Sequence, residues 1–207
     1  MDVARPYAAV ASGVEGEALI VLAGTTAPLT GRQIARLVRR GTSPSVSAAL
    51  ERLSAQGIVH REQAGRAYLH TLNRDHIAAP AVVLLADLRS ELLRRLRDTF
   101  ERWDPAAVHA SMFGSTARAD GDAESDIDLL VVRPAGIDEE DSRWRAQLDA
   151  LNDAVYAWTG NHAGVIELAE ADLEQLRRDP RGILGDLRAD GIDLAGVSVR
   201  ALLKEHR

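Results

Sequence analysis

Residues 113–132 read FGSTARADGDAESDIDLLVV. Ten residues separate Ser115 from Asp126, and Asp128 follows two places on. Ile127 and the run from Leu129 to Val132 predict a buried strand, because a near-continuous apolar run suits a strand covered on both faces. Val108 to Phe113 predicts another strand directly before the Gly-Ser pair. Alternation along a strand puts Asp126 and Asp128 on one face, with Cα atoms about 6.5–7 Å apart. Two carboxylates side by side repel unless a cation lies between them, and hard oxygen ligands at that spacing suit Mg²⁺ or Mn²⁺. Gly114 lets backbone approach a phosphate closely, and Ser115 can donate both its N–H and its hydroxyl at a helix start.

Outward from that stretch, the chain has 207 residues, 46% of them hydrophobic and 27% charged, the composition of an ordinary globular protein. It has no cysteine, which excludes disulfides, thiolate zinc sites and a cysteine nucleophile. The longest apolar runs, such as Ala78 to Ala86, fall short of the ~20 residues of a membrane span. Met1 to Pro6 lack an apolar signal core, so a soluble cytoplasmic protein is expected. The net charge of −6 divides unevenly. Residues 1–78 hold nine arginines and six acids, a net of +3, and the remainder holds 16 basic and 25 acidic residues, a net of −9. Such asymmetry points to two modules with different partners. The expected organisation is a basic module over 1–78, a connecting helix over 79–104 and an acidic domain over 105–207.

In the first module, residues 15–23 predict a short buried helix ended by Gly24. Thr30, three places before Gln33, forms a capping box for a second helix with Ile34, Leu37 and Val38 on its apolar face. Ser43-Pro44 opens a third, with Val46, Ala49, Leu50 and Leu53 packed inward. Residues 58–62 and 66–72 predict a β-hairpin around Ala64-Gly65. The segment SPSVSAALERLSAQGIVHREQAGRAYLHTLN, residues 43–73, resembles a winged helix-turn-helix domain. That resemblance implies DNA contacts from Ser43, Ser45, Ser47 and Arg52, with Arg66 at the tip of the wing. Arg36, Arg39 and Arg40 would then reach phosphates. Winged helices also dock proteins and dimerise, and a solvated arginine face fits that role equally. From Pro80 to Trp103, Leu88, Leu92, Leu96 and Phe100 carry amphipathic helical spacing. Such a helix can bridge to the next domain, pack against a second copy in a homodimer, or belong to the core of the C-terminal domain.

The 113–132 stretch resembles the nucleotidyltransferase superfamily typified by DNA polymerase beta and kanamycin nucleotidyltransferase, and lies nearest its minimal bacterial and archaeal members. Ala117-Arg118 after the Gly-Ser and Ser125 before Asp126 belong to the match. The resemblance implies an α+β protein, a winged helix-turn-helix joined by a long helix to a small α/β nucleotidyltransferase domain with a mixed sheet. It implies Mg²⁺ (or Mn²⁺) held by Asp126 and Asp128, an NTP substrate, ATP foremost, and phosphates gripped by Gly114 and Ser115. It also implies a third carboxylate on a later strand, and Glu167, the single acid of Gly164-Val165-Ile166-Glu167-Leu168, is the residue expected there. Arg118 is expected either at the triphosphate or in a salt bridge to Asp120, Asp122 or Glu124. Glu170 and Asp172 read as the opening of the next helix. His109 and His162 read as strand-edge residues with structural or solvated roles. The implied activity is transfer of NMP, foremost AMP, to a hydroxyl. The acceptor can lie on a partner protein, as in antitoxins of this type, on a tRNA end or on a small molecule. The rival expectation is a DNA-binding transcriptional regulator whose C-terminal domain senses nucleotide or mediates assembly.

Overall fold

The computed structural model describes residues 1–118, 125–173 and 183–202. The chain divides into two units, Arg5–Arg89 and a second made of Met1–Ala4 with Ser90–Arg207.

The first unit begins with α1, Val14–Ala23, which buries Ala18 and Leu22. Strand β1, Leu29–Thr30, leads into α2, Gly31–Leu37, and α3, Ser43–Ala55, follows. The capping box at Thr30 is present: the Gln33 amide donates to Thr30 Oγ1, and the Thr30 amide donates to Gln33 Oε1 at 2.8 Å. The third helix starts one residue earlier than Ser43-Pro44 implies, with Thr42 as its cap. Ser45 closes a second capping box with Thr42, its hydroxyl donating to the Thr42 carbonyl at 2.8 Å. Val46, Leu50 and Leu53 share one core cluster with Ile34 and Leu22, and Ala49 on the same face is buried, as the helical spacing demands. Hairpin strands β2, Val59–Ala64, and β3, Ala67–Leu72, turn at Gly65, whose φ of +61° suits glycine. Strand β1 pairs with β3, giving the order β1-β3-β2. Two residues carry no periodicity, so this strand leaves no sequence signal.

A buried acid organises the turn between α2 and α3. Glu17, 3% exposed, accepts the Arg39 and Arg40 amides at 2.7 and 3.0 Å and has the Arg5 guanidinium at 3.7 Å. The single connecting helix expected over 79–104 is two helices, α4, Ala79–Ala86, and α5, Leu88–Glu101. They part at Asp87, whose φ and ψ of −96° and 3° leave the helical well. Aspartate is a poor interior helix former. The two pieces also serve different cores. Ala79 and Val82 of α4 join the first unit's cluster, whereas Leu92, Leu96 and Phe100 of α5 join the second's.

The second unit is built on a four-stranded mixed sheet. Its strands are β4, His109–Met112; β5, Ile127–Arg133; β6, Ala163–Ala169; and β7, Ile192–Gly196. The order is β6-β5-β4-β7, with β5 and β6 parallel and the other pairs antiparallel. Helix α6, Gly114–Arg118, lies between β4 and β5. Helix α7, Ser142–Thr159, lies between β5 and β6. It starts at Ser142 because Asp141 accepts the Arg143 and Trp144 amides at 2.9 and 3.0 Å and caps it there. Beyond β6 come a 3-10 turn, Glu170–Asp172, then α8, Ile183–Asp190, and, after β7, α9, Val199–Leu202. Glu170 and Asp172 lie in that turn, and the segment after Leu173 is outside the described residues.

The two faces of this sheet have different partners. Ile127, Leu129 and Val131 point to the large core made with Leu96, Trp103, Trp144 and Leu151. Leu130 points the other way, onto Phe113, Leu187 and Val199. Among the described residues no helix is long and apolar enough to cross a membrane. The protein is α+β with one mixed sheet.

Candidate active site

The site forms where β4 ends, α6 begins and β5 starts. The Phe113 amide donates to the Asp128 carbonyl at 3.1 Å, which ties the turn to β5. Gly114 then takes a φ of +68°. A Cβ built on it would lie 2.6 Å from Asp128 Oδ2, so the carboxylate fills the space a side chain would need. On the other side, Gly164 is the register partner of Asp128 in the parallel pair. A Cβ there would lie 3.2 Å from Asp128 Oδ1 and 3.7 Å from Asp126 Cβ. Asp128 therefore sits between two glycines, Gly114 at the start of α6 and Gly164 on β6. The second of them carried no motif in the sequence.

The backbone carrying Asp126 is held from both flanks. Buried Thr116 donates its hydroxyl to the Asp126 carbonyl at 3.0 Å. Asn161 donates to the Ser125 carbonyl at 2.9 Å, and the Ile127 amide donates to the His162 carbonyl at 2.9 Å. Asp126 and Asp128 share the parity of Leu130, so both lie on the face opposite the large core. Asp126 is exposed and Asp128 half-buried. Burial first, and then the charges of Asp126 and Asp186, push the Asp128 carboxyl above the ordinary carboxylate range, while the Arg118 guanidinium works in the opposite direction.

Arg118, at the end of α6, reaches α8. Its Nη1 lies 3.3 Å from Asp190 Oδ2 and 3.7 Å from Asp186 Oδ1. The sequence offered Asp120, Asp122 and Glu124 as salt-bridge partners; these three lie outside the described residues. Asp186 and Asp190 come from 72 or fewer positions further along the chain, and no local spacing signals them.

Glu167 is not brought to this pair. It is the register partner of Val131 and shares its parity, so its side chain leaves β6 on the large-core face. There Arg133 Nε donates to Glu167 Oε1 at 2.7 Å and the Trp144 indole N–H donates to the same oxygen at 2.9 Å. Arg145 lies 4.0 Å from its other oxygen. The expectation of Glu167 as third ligand is corrected by strand parity: the β6 positions facing Asp128 are Gly164, Ile166 and Leu168. Among the described residues no three carboxylate or imidazole groups gather at metal-binding distance.

His109 is also relocated. It sits on β4, flanked by β5 and β7 rather than at an edge, and is fully buried. Its Nδ1 lies 2.6 Å from the Val197 carbonyl and its Nε2 2.9 Å from the Ser111 hydroxyl, and burial pushes its pKa down. That is a structural role. His162 is exposed and stacks on Tyr156 at a centroid distance of 5.0 Å.

In the first unit, Ser43 and Ser47 line a cavity of about 400 Å³ together with Thr30, Arg32, Arg61 and Tyr68. The Arg61 guanidinium lies 3.5 Å above the Tyr68 ring. Ser45 and Arg52, expected on the same surface, are elsewhere. Ser45 is engaged in the helix cap, and Arg52 pairs with Glu15 of α1 through Nε at 3.0 Å. The reason is angular: 43, 47 and 51 fall on one i, i+4 ridge, while 45 and 52, seven residues apart, lie on a different face of the helix. Arg66 is exposed at the hairpin tip, and Arg36, Arg39 and Arg40 are exposed. Arg32 and Arg61, which the sequence reading passed over, are the arginines that converge on Ser43 and Ser47.

No curated protein and no solved structure shows a significant match to the chain. Residues 93–175 do match a family model, described as Nucleotidyltransferase domain. The matched span runs from α5 through the Gly114 turn and the Asp126–Asp128 pair to the 3-10 turn after β6, so a nucleotidyltransferase domain is present in the second unit.

Proposed function

We propose that the second unit transfers a nucleoside monophosphate from an NTP to a hydroxyl, with Asp126 and Asp128 holding Mg²⁺. The observation that carries this reading is the seating of the Asp128 carboxylate in the space of the missing Gly114 Cβ, beside Asp126. It joins the Gly-Ser turn to a pair of hard oxygen ligands in one construction. The residues fit a divalent cation, because burial and then the negative charge around Asp128 oppose its ionisation and a cation relieves that. When bound, the ion neutralises phosphate charge and polarises the phosphoryl group.

The chain's own residues do the positioning. Ser115 offers its amide and hydroxyl to a phosphate, and Arg118 supplies a guanidinium for the phosphate tail. The acceptor oxygen bonds to the α-phosphorus, pyrophosphate departs, and the hydroxyl proton passes to solvent. Little covalent chemistry falls to the protein, so orientation and charge account for the rate. ATP as donor and a side-chain hydroxyl on a partner protein as acceptor, an antitoxin-like role, are the choices that the minimal-nucleotidyltransferase resemblance favours.

The test uses each of the four α-labelled NTPs with Mg²⁺ and a cell extract as acceptor source. Label is expected in wild type and absent from Asp126→Ala/Asp128→Ala. Equal labelling by both ends this reading.

A second reading concerns the first unit, where the convergence of Arg32 and Arg61 with the hydroxyls of Thr30, Ser43, Ser47 and Tyr68 favours a nucleic-acid backbone. We propose a winged helix binding DNA through this face, as in a regulator. A gel shift at low salt, with Arg32→Ala and Arg61→Ala, checks it; binding that both variants retain in full would count against it.

A further inference from the structure

The contact between Arg118 and α8 has no role in the fold proportionate to its composition. Asp186 and Asp190 stand at i and i+4 on one face of α8 and both approach the same guanidinium nitrogen. The side chains are 38%, 57% and 28% exposed for Arg118, Asp186 and Asp190, and ion pairs so open to water contribute little stability. They also add negative charge beside an aspartate pair that repels it. Their placement is nonetheless fixed. Leu187, between them in sequence and 1% exposed, packs on Phe113 and Leu130, the residues that flank the Gly114 turn and Asp128. Helix α8 is thereby anchored to the two strand ends that carry the site.

We propose that Asp186 and Asp190 are positioning residues that hold the Arg118 guanidinium for the polyphosphate tail of the nucleotide. The proposal rests on the nucleotidyl-transfer reading of the same site. An arginine side chain has many rotamers, and a ligand that must immobilise one loses affinity. Two carboxylates set that side chain in advance. The chemistry recognised is a β,γ-phosphate pair, so a nucleoside triphosphate gains from the arrangement and a monophosphate does not.

Calorimetric titration of the full chain with a non-hydrolysable ATP analogue, and separately with AMP, each with Mg²⁺, tests this. Asp190→Asn and Asp186→Asn/Asp190→Asn are expected to weaken the ATP analogue by about two- to tenfold while leaving AMP unchanged. Asp190→Glu is expected to restore most of the loss. In an Arg118→Ala background, Asp190→Asn should have no further effect, because the carboxylate acts through the guanidinium. An effect of Asp190→Asn that persists without Arg118, or ATP-analogue affinity that is unchanged or tighter in Asp190→Asn, overturns the proposal and leaves nucleotidyl transfer standing. Failure of wild type to bind the ATP analogue removes both.

Discussion

Gly114→Ala separates fold from site in one substitution. Two costs arise from the structure. The first is conformational: an alanine at a φ of +68° loses about 1–2 kcal/mol. The second is steric. The new Cβ would meet Asp128 Oδ2 at 2.6 Å, where ordinary contact begins at 3.4 Å, so the carboxylate must withdraw by about 0.8 Å. Forcing Asp128 off its rotamer costs about 0.5–1.5 kcal/mol. The total expected is about 1.5–3.5 kcal/mol.

Gly160→Ala supplies the control, because Gly160 caps α7 at a φ of +73° with nothing within 4 Å of a Cβ, and should cost only the first term, about 1–2 kcal/mol. Asp128→Ala in the Gly114→Ala background should recover about 1 kcal/mol relative to the sum of the single changes. The assay is urea unfolding followed by tryptophan fluorescence. Trp103, Trp144 and Trp158 are the chain's three tryptophans and all belong to the second unit, so the signal reports that unit alone. Equal losses for Gly114→Ala and Gly160→Ala, with no coupling to Asp128→Ala, would falsify the claim that Asp128 is seated against the Gly-Ser turn.

Other outcomes follow from single groups. Glu17→Ala strands the Arg39 and Arg40 amides and should lower first-unit stability by about 1–3 kcal/mol, with faster hydrogen exchange at those two amides; unchanged exchange refutes the capping role. Asp128 has a raised carboxyl pKa, so its contribution to the apo fold is full below the ordinary carboxylate range and is lost as pH rises through the raised value. Asp128→Asn should therefore melt above wild type at pH 7 without metal, with the gap closing below about pH 4. Millimolar Mg²⁺ should stabilise wild type and leave Asp128→Asn unmoved; equal metal responses would remove Asp128 from the ligand set. His109 has a lowered pKa, so its contribution is present above the ordinary histidine range and lost as pH falls through the lowered value. Acid unfolding of the second unit should accordingly begin at lower pH in His109→Gln than in wild type, read by the same tryptophans.

The elements read correctly from sequence are those whose signal is local. The capping box at Thr30 needs only Thr30 and Gln33, and the buried β5 needs only its run of branched residues. The hairpin needs Gly65 between two short strands. What failed was decided elsewhere. Glu167 satisfies every local criterion for a third ligand, yet parity with Val131 turns it to Arg133 and Trp144. That parity depends on the β5–β6 register, which is a tertiary quantity. Arg52 looks like a recognition-helix arginine until Glu15, 37 residues away, claims it. The run from Ala79 to Glu101 breaks at Asp87, and its two halves belong to different cores, Ala79 and Val82 to the first unit's and Leu92, Leu96 and Phe100 to the second's.

By itself, the sequence determined that a Gly-Ser turn precedes a strand opening on Asp126 and Asp128, because spacing and alternation along one chain suffice for that. Tertiary structure alone decided which acids and arginines face the pair. Asp186 and Asp190 reach Arg118 from a helix packed across the sheet, and Glu167 leaves from the opposite face. Charged side chains meet through space, and their partners depend on strand register and helix anchoring, quantities that no local pattern encodes.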